Sequence, residues 1–307
     1  MSDGQTFSFQ AEIKQLLDIL IHSLYSDREI FLRELVSNSS DALNRVQFEL
    51  LTNQNVLDAD AELYIEIKLD EEAKTLTISD SGIGMTREDM VSNLGTIARS
   101  GAKQFVQAMR ASGNGNVSAS EVIGQFGVGF YSAFMVADKV RVVSKSYKAD
   151  EPAFVWECEG GDNYTIAPAE RTNRGTDVIL HLKEEDVEFL QDWRVKQIIR
   201  KHSDYIAFPI YVGEDENATN EQTALWRQSP DEIDAEKYND FYRAFTMDFN
   251  EPAYKIHMRA DVPLQFYALL YITESGEQTM FSLRKEAGLK LYARKVLIKS
   301  EERRVRV

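Results

Sequence analysis

Apolar residues fall at Ile13, Leu16, Leu17, Leu20 and Leu24, so residues 10–25 are expected to form an amphipathic helix. A second helix is expected from Asp27 to Leu51. Asp27 suits its cap, and Leu32, Leu35, Val36 and Leu43 line one side. The pattern then changes period. Leu63, Ile65, Ile67 and Leu69 alternate with Glu62, Tyr64, Glu66 and Lys68, which predicts a strand buried on one face. An acidic turn leads into a second strand over 75–80. Helical spacing returns near 87–94, 98–110 and 127–136, and strands are expected over 139–146, 153–158 and 176–182. A helix over 186–206 would close this unit. Residues 213–223 carry no apolar side chain larger than Ala218 and read as a solvated linker. Beyond them come a helical piece at 231–245 and strands at 254–260, 266–273 and 289–298.

This pattern predicts an α/β protein in two parts. The first is a complete domain over 1–212. A short acidic linker over 213–223 follows, and then an incomplete α/β domain over 224–307. A length of 307 residues agrees with at least two domains.

Composition narrows the function. Hydrophobic residues are 43% and charged residues 28%, which excludes a disordered or fibrous chain. The apolar run over 123–137 is broken by three glycines and is shorter than the ~20 residues that span a bilayer, so no membrane segment is expected. No secretory signal is visible at Met1, and the single Cys158 fits a reducing, cytoplasmic location. The net charge of −15 argues against general nucleic-acid binding, which needs cations to neutralise phosphates. The charge is uneven: residues 284–307 carry +6 and the rest −21. Runs like these are ordinarily solvated surface.

Four motifs carry candidate chemistry. Glu34, Asn38 and Asp41 stand at i, i+4 and i+7 of the second helix, within roughly 60° of one another on one face. That face is either simply solvated or a site where an amide oxygen meets Mg²⁺ and a carboxylate orients water. The strand over 75–80 ends in Asp80-Ser81-Gly82-Ile83-Gly84-Met85. This is a tight turn, or a turn that sets Asp80 on a pocket floor to accept a bond from an exocyclic amine such as adenine's. Gly124-Gln125-Phe126-Gly127-Val128-Gly129-Phe130 opens an apolar helix, where backbone N–H groups can meet phosphate. Its G-x-x-G-x-G spacing is neither a Rossmann fingerprint nor a P-loop. Residues 95–123, rich in Gly, Ser and Asn, read as a surface loop or a hinged lid.

The order of these motifs is more specific than any one of them. With Gly175-Thr176 before a later strand, it resembles the Bergerat-fold ATPases, the superfamily of gyrase, sensor histidine kinases and MutL. Within that group the strings Tyr25 to Ala42, Leu94 to Gly101 and Ile123 to Ser132 resemble the heat shock protein 90 family almost verbatim. Ala224-Leu225-Trp226 and Lys290-Leu291-Tyr292 resemble the start of that family's middle domain, and the short linker is similar to its bacterial branch.

The resemblance implies a two-layer α/β sandwich, with a mixed, mostly antiparallel sheet and helices on one face. It implies an ATP-dependent chaperone that binds ATP or ADP with Mg²⁺, acts on non-native client proteins and pairs as a homodimer in the cytoplasm. Glu34 matches the catalytic carboxylate, Asn38 the Mg²⁺ ligand, Asp80 the adenine-amine acceptor and Thr176 its supporting hydroxyl. Asp41, Gly84, Met85, Asn93, Arg99, Gly124, Gly127, Gly129 and Phe130 match further nucleotide contacts, and Arg33 a regulatory arginine.

Two positions depart from the family. Arg99 replaces the usual Lys, putting a planar fork where a point charge is common. Ala102 loses a hydroxyl. The family's middle-domain arginine and its dimerisation domain would lie beyond Val307, so this chain is expected to bind nucleotide and hydrolyse it poorly. A sensor histidine kinase would need a phospho-accepting histidine well upstream, and only His22 precedes Glu34, by twelve residues. A nucleotide-gated interaction module without catalysis is a second alternative. Trp226 and Phe281 are either buried aromatics or client contacts.

Overall fold

The computed structural model describes residues 4–9, 28–95, 129–246, 248–260, 262, 266–273, 291–293 and 296–299. The first unit is a sheet of eight strands with helices packed on one face. The strands are β1 (Gln5–Ser8), β2 (Ile65–Asp70), β3 (Thr75–Asp80), β4 (Ala137–Lys145), β5 (Ala153–Cys158), β6 (Asn163–Ala169), β7 (Gly175–Leu182) and β8 (Ile210–Val212). Their order is β1-β6-β5-β4-β7-β3-β2-β8. All pairings are antiparallel except β2 with β8, which is parallel. The fold class expected from the sequence is therefore the one observed.

The alternating strands explain the layering. Ile65 and Ile67 on β2, Leu76 and Ile78 on β3, Val140 and Val142 on β4, and Val178 and Leu180 on β7 all turn to one face and are buried. Opposite them lies helix α1 (Ile30–Thr52), which buries Phe31, Leu32, Leu35, Val36, Leu43 and Val46. Each such side chain contributes roughly 2 kcal/mol on burial. The apolar side therefore anchors the helix although Glu29 at its N-cap makes no side-chain capping bond. The reverse face of the sheet carries half-exposed residues such as Thr77, Ser79, Arg141 and Ile179.

Helix α2 (Arg87–Asn93) starts with a reciprocal capping box, in which Thr86 accepts from the Asp89 amide and the Asp89 carboxylate accepts from Thr86. The expected helix at 127–136 is instead a 3₁₀ helix over Gly129–Met135, buried almost throughout. The expected helix at 186–206 is broken. A 3₁₀ helix runs over Glu184–Leu190, and α3 (Asp192–His202) follows, because Gln191 between them is extended. Strands β1, β6 and β8 escape the sequence pattern. Gln5–Ser8 and Ile210–Val212 are too short to show a period, and Asn163–Ala169 is masked by Pro168. The expected helices over 10–25 and 98–110 lie outside the described residues.

The linker expectation needs correction at one point. Glu214, Asp215, Glu216 and Asn217 are exposed, but Asn220 is buried. Its amide accepts from Ile210 N (2.9 Å) and donates to Ile206 O (3.0 Å) and Phe208 O (3.1 Å). The chain folds back onto its own exit strand because a single Asn can satisfy three orphaned main-chain groups. After it come α4 (Ala235–Thr246), the antiparallel pair β9 (Pro252–Ala260) and β10 (Phe266–Thr273), and a short hairpin of β11 (Leu291–Ala293) and β12 (Val296–Lys299). The last two replace the single strand expected at 289–298. Leu225, Ile233 and Tyr238 form a small second core with Phe241, Leu269 and Tyr271. Among the described residues no helix is long and apolar enough to cross a membrane.

Candidate functional site

The site is built where α1 crosses the ends of β3, β7 and β4. Asp80 ends β3 and stands directly across from Thr176 on β7. Its side chain is buried (5% exposed), facing α1. One carboxylate oxygen accepts from Gly82 N at 2.9 Å, and the Ser39 hydroxyl of α1 donates to the same carboxylate. Burial pushes its pKa up to about 7, against the pull of those two bonds and of Arg171. A carboxylate so poised binds a donor far better than it binds another acceptor.

The turn after Asp80 is fixed from both sides. Ile83 N donates to Ala42 O of α1 (3.1 Å), and Tyr147 N donates to Ile83 O (2.9 Å). Gly84 takes φ +64, and a Cβ there would overlap the Lys145 carbonyl, so only glycine fits. Met85 N donates to Ser144 Oγ at 2.9 Å. Ser144 on β4 is the hub of this corner. Its hydroxyl lies 2.8 Å from Thr176 Oγ1 and 3.0 Å from Gly175 O. Asp80 and Met85, from one turn, and Thr176, about ninety residues on, therefore meet around two buried serines.

Glu34 lies on the same helix, one residue after a buried arginine. Arg33 donates to Glu34 Oε1 from Nε at 3.0 Å and also from its terminal nitrogen. The pair is shielded, with side-chain exposures of 7% and 14%. Gly129, from the glycine-rich motif, presses on the other carboxylate oxygen, and a Cβ at 129 would collide with it. The Glu34-Asn38-Asp41 motif and the glycine-rich motif are thus in contact through Glu34. Asn38, four residues on along α1, is exposed and carries an amide oxygen. These oxygen donors suit a hard cation such as Mg²⁺.

The other expected residues are placed as follows. Asp41 is exposed on α1 and lines a cavity of about 470 Å³ with Asn44, Arg45, Phe48, Glu49 and Ile83, next to the Asp80 turn. Asn93 is exposed at the end of α2. Phe130 stacks edge-on against Tyr131 (5.4 Å) and Trp156 (5.6 Å). Arg99, Gly124, Gly127 and most of the expected lid over 95–123 lie outside the described residues. Trp226 is half-buried, edge-on to Tyr205 at 4.5 Å, while Phe281 lies outside the described residues.

Sequence reasoning missed Ser39, Ser144 and Arg174, whose guanidinium donates to Gly82 O of the Asp80 turn at 3.4 Å. Ser39 follows Asn38 directly, and its i, i+3 spacing from Ala42, whose carbonyl accepts from Ile83 N, puts both on the helix face that meets the turn. Ser144 carries no local signal, because its role depends on the register of β4 against β7.

Two family models match the chain. Residues 25–160 match one described as histidine kinase-, DNA gyrase B-, and HSP90-like ATPase, and residues 212–305 match one described as Hsp90 protein. The chain is similar to Chaperone protein HtpG of Desulfitobacterium hafniense (strain Y51), 47% identical over 301 residues, which is 98% of this chain and 48% of that protein. It is also similar to Chaperone protein HtpG of Actinobacillus pleuropneumoniae serotype 3 and of Escherichia coli (strain K12), each 43% identical over 309 residues, which is 97% of this chain and 49% of theirs. The chain spans about half the length of these curated relatives.

Proposed function

This chain belongs to the heat shock protein 90 family, and from that premise we propose that it is the nucleotide-binding part of an ATP-dependent molecular chaperone of the HtpG type. The observation that carries the reading is the buried Asp80–Thr176 pair, which faces Ser39 of the same helix that holds Glu34 against Gly129. The helix that holds Glu34 thereby also braces the base-recognising carboxylate, through Ser39.

Asp80 accepts the adenine amine, and Thr176, across from it on β7 and hydrogen-bonded to Ser144, supplies the hydroxyl beside it. Asn38 supplies an amide oxygen to Mg²⁺, whose charge would offset that developing on the phosphates. Glu34 orients the attacking water and takes its proton. Arg33, bonded to Glu34 Oε1, occupies that carboxylate until it is released, which gives it a regulatory place. Gly84, Met85, Asn93, Asp41 and Phe130 contribute to the walls around the nucleotide, with Gly129 and, from the sequence, Arg99, Gly124 and Gly127 near its phosphates.

In the whole protein, nucleotide binding and hydrolysis would drive opening and closing of a cytoplasmic homodimeric clamp on non-native client proteins. Calorimetry with ATP and ADP, with and without Mg²⁺, tests the site. D80N should abolish binding, while E34A should leave it intact. Equal loss of binding in both variants would refute this division of roles.

A further inference from the structure

Helix α2 stops at Asn93, and the amides of Leu94 and Gly95 both donate back to Met90 O (2.9 and 3.2 Å). Leu94 is buried, so its own carbonyl, past the end of the helix, needs a partner other than bulk water. The Tyr131 hydroxyl is that partner. It donates to Leu94 O at 2.6 Å, from 37 positions further along the chain, in a bond that is itself buried.

Both ends of this bond stand next to expected site residues. Asn93 directly precedes Leu94. On the other side, Tyr131 follows Gly129, which presses on Glu34, and Phe130, whose ring lies edge-on to that of Tyr131 at 5.4 Å. The surroundings leave little play. A Cβ at Gly95 would overlap the Tyr164 hydroxyl and the Val91 carbonyl, so the chain leaving α2 is pressed onto the Tyr164 ring. Tyr164 stacks on Trp156 (5.7 Å) and on Phe7 of β1 (5.3 Å). Phe9 meets both Tyr164 (4.8 Å) and Tyr131 (6.3 Å). Phe9 and Phe130 thus hold the Tyr131 ring from two directions, which gives its hydroxyl a fixed place. Burial pushes the phenol's pKa further above its ordinary value, so the hydroxyl stays a donor.

We propose that Tyr131 is a positioning residue for nucleotide binding: its hydroxyl holds Leu94, and with it Asn93, in register with Phe130 and Gly129, so that the two walls meet the ligand together. The inference rests on the reading above, in which Asn93 and Phe130 line the nucleotide. α1 is already tied to the Asp80 turn by the bond from Ile83 N to Ala42 O. The Tyr131 bond does the same for the end of α2 and the glycine-rich segment. A plain phenyl ring would fill the same space and leave the Leu94 carbonyl buried without its donor, so the change falls on the junction and spares the packing.

The test is a double-mutant cycle on ADP binding, measured by calorimetry on the whole chain in wild type, Y131F, N93A and Y131F/N93A. Y131F should weaken ADP binding about tenfold. N93A should weaken it as well. Adding Y131F to N93A should then cost no more than about twofold, because the group being positioned is gone. If N93A alone abolishes binding, N93S takes its place in the cycle. Losses that simply add would show that Y131F loosens the fold at large, and unchanged affinity in Y131F would show that the hydroxyl is idle. Either result overturns the proposal, as does an N93A variant that binds ADP like wild type. G95A, which pushes the same stretch off Tyr164, replaces Y131F if the latter does not fold. Failure of both to fold would assign the junction to the scaffold and overturn the proposal equally. If wild type does not bind ADP, the adenine-nucleotide reading itself fails, and the two failures are thereby distinguished.

Discussion

Asp80 shows how a single residue can be costly to the fold and necessary to the site. Its ordinary pKa is 3.8, and burial pushes it up to about 7. The folded chain therefore keeps a proton that the unfolded chain releases, so this group's contribution to stability is full below the ordinary value. It is lost as pH rises toward about 7. An amide does not titrate. The ligand-free melting temperature of D80N, relative to wild type, should accordingly rise between about pH 5 and about pH 8, as differential scanning calorimetry would record. Binding has the opposite sign. A donor amine selects the ionised form, so ADP affinity should be flat above about 7 and fall toward tenfold per pH unit below it. A pH-independent ADP affinity in wild type would contradict the buried-carboxylate account.

Among the elements, α1 matters most because it carries Glu34, Asn38 and Ser39 together. Its entrance is clamped to the segment leading into α3 and to α3 itself. Arg28 donates to both carboxylate oxygens of Asp186 (2.7 and 2.6 Å). Glu29 is ringed by His202 (2.8 Å), Arg194 (3.2 Å) and Lys201. The His202 bond, against the cost of burial and with help from Lys201, holds the Glu29 carboxyl down to about 2. Its folded pKa is depressed, so its contribution is present above the ordinary value of 4.5 and is lost as pH falls toward about 2. E29Q should cost roughly 3 kcal/mol in urea unfolding at neutral pH, with wild type and variant converging as the pH is lowered through that window.

None of this clamp was visible in the sequence. The Glu34-Asn38-Asp41 face and the turn at Asp80 could be read because helix period and turn chemistry are local. Ser144, Arg174 and the Glu29 cluster join residues 59 to 173 positions apart, and nothing short-range marks them. The same limit hid β6 and β8, whose identity as strands depends on what they pair with.

At the scale of the whole molecule, the two parts are joined by more than an acidic tether. β8 adds to the sheet beside β2, with Ile65 N donating to Pro209 O (3.0 Å) and Gly213 N to Ile67 O (2.9 Å). Asn220 then stitches the returning chain to that strand, and Gln222 N donates to Asp204 O (2.9 Å) just past α3. N220A would leave buried main-chain groups unpaired and should weaken this junction by about 2 kcal/mol. Hydrogen exchange at Ile210 and protease cleavage within 213–223 should both accelerate, with the Asp80 region unaffected. Unchanged exchange at Ile210 would show that β8 is held by its sheet partner alone.

The parallel seating of β8 has a mechanical consequence. A pull on the second part runs along β8 and loads its bonds to β2 side by side, in shear, rather than peeling them open one at a time. β2 is hydrogen-bonded to β3, which ends at Asp80. The junction is thus built to carry tension into the sheet that ends in the Asp80 turn, and a force produced at either end has a stiff path to the other.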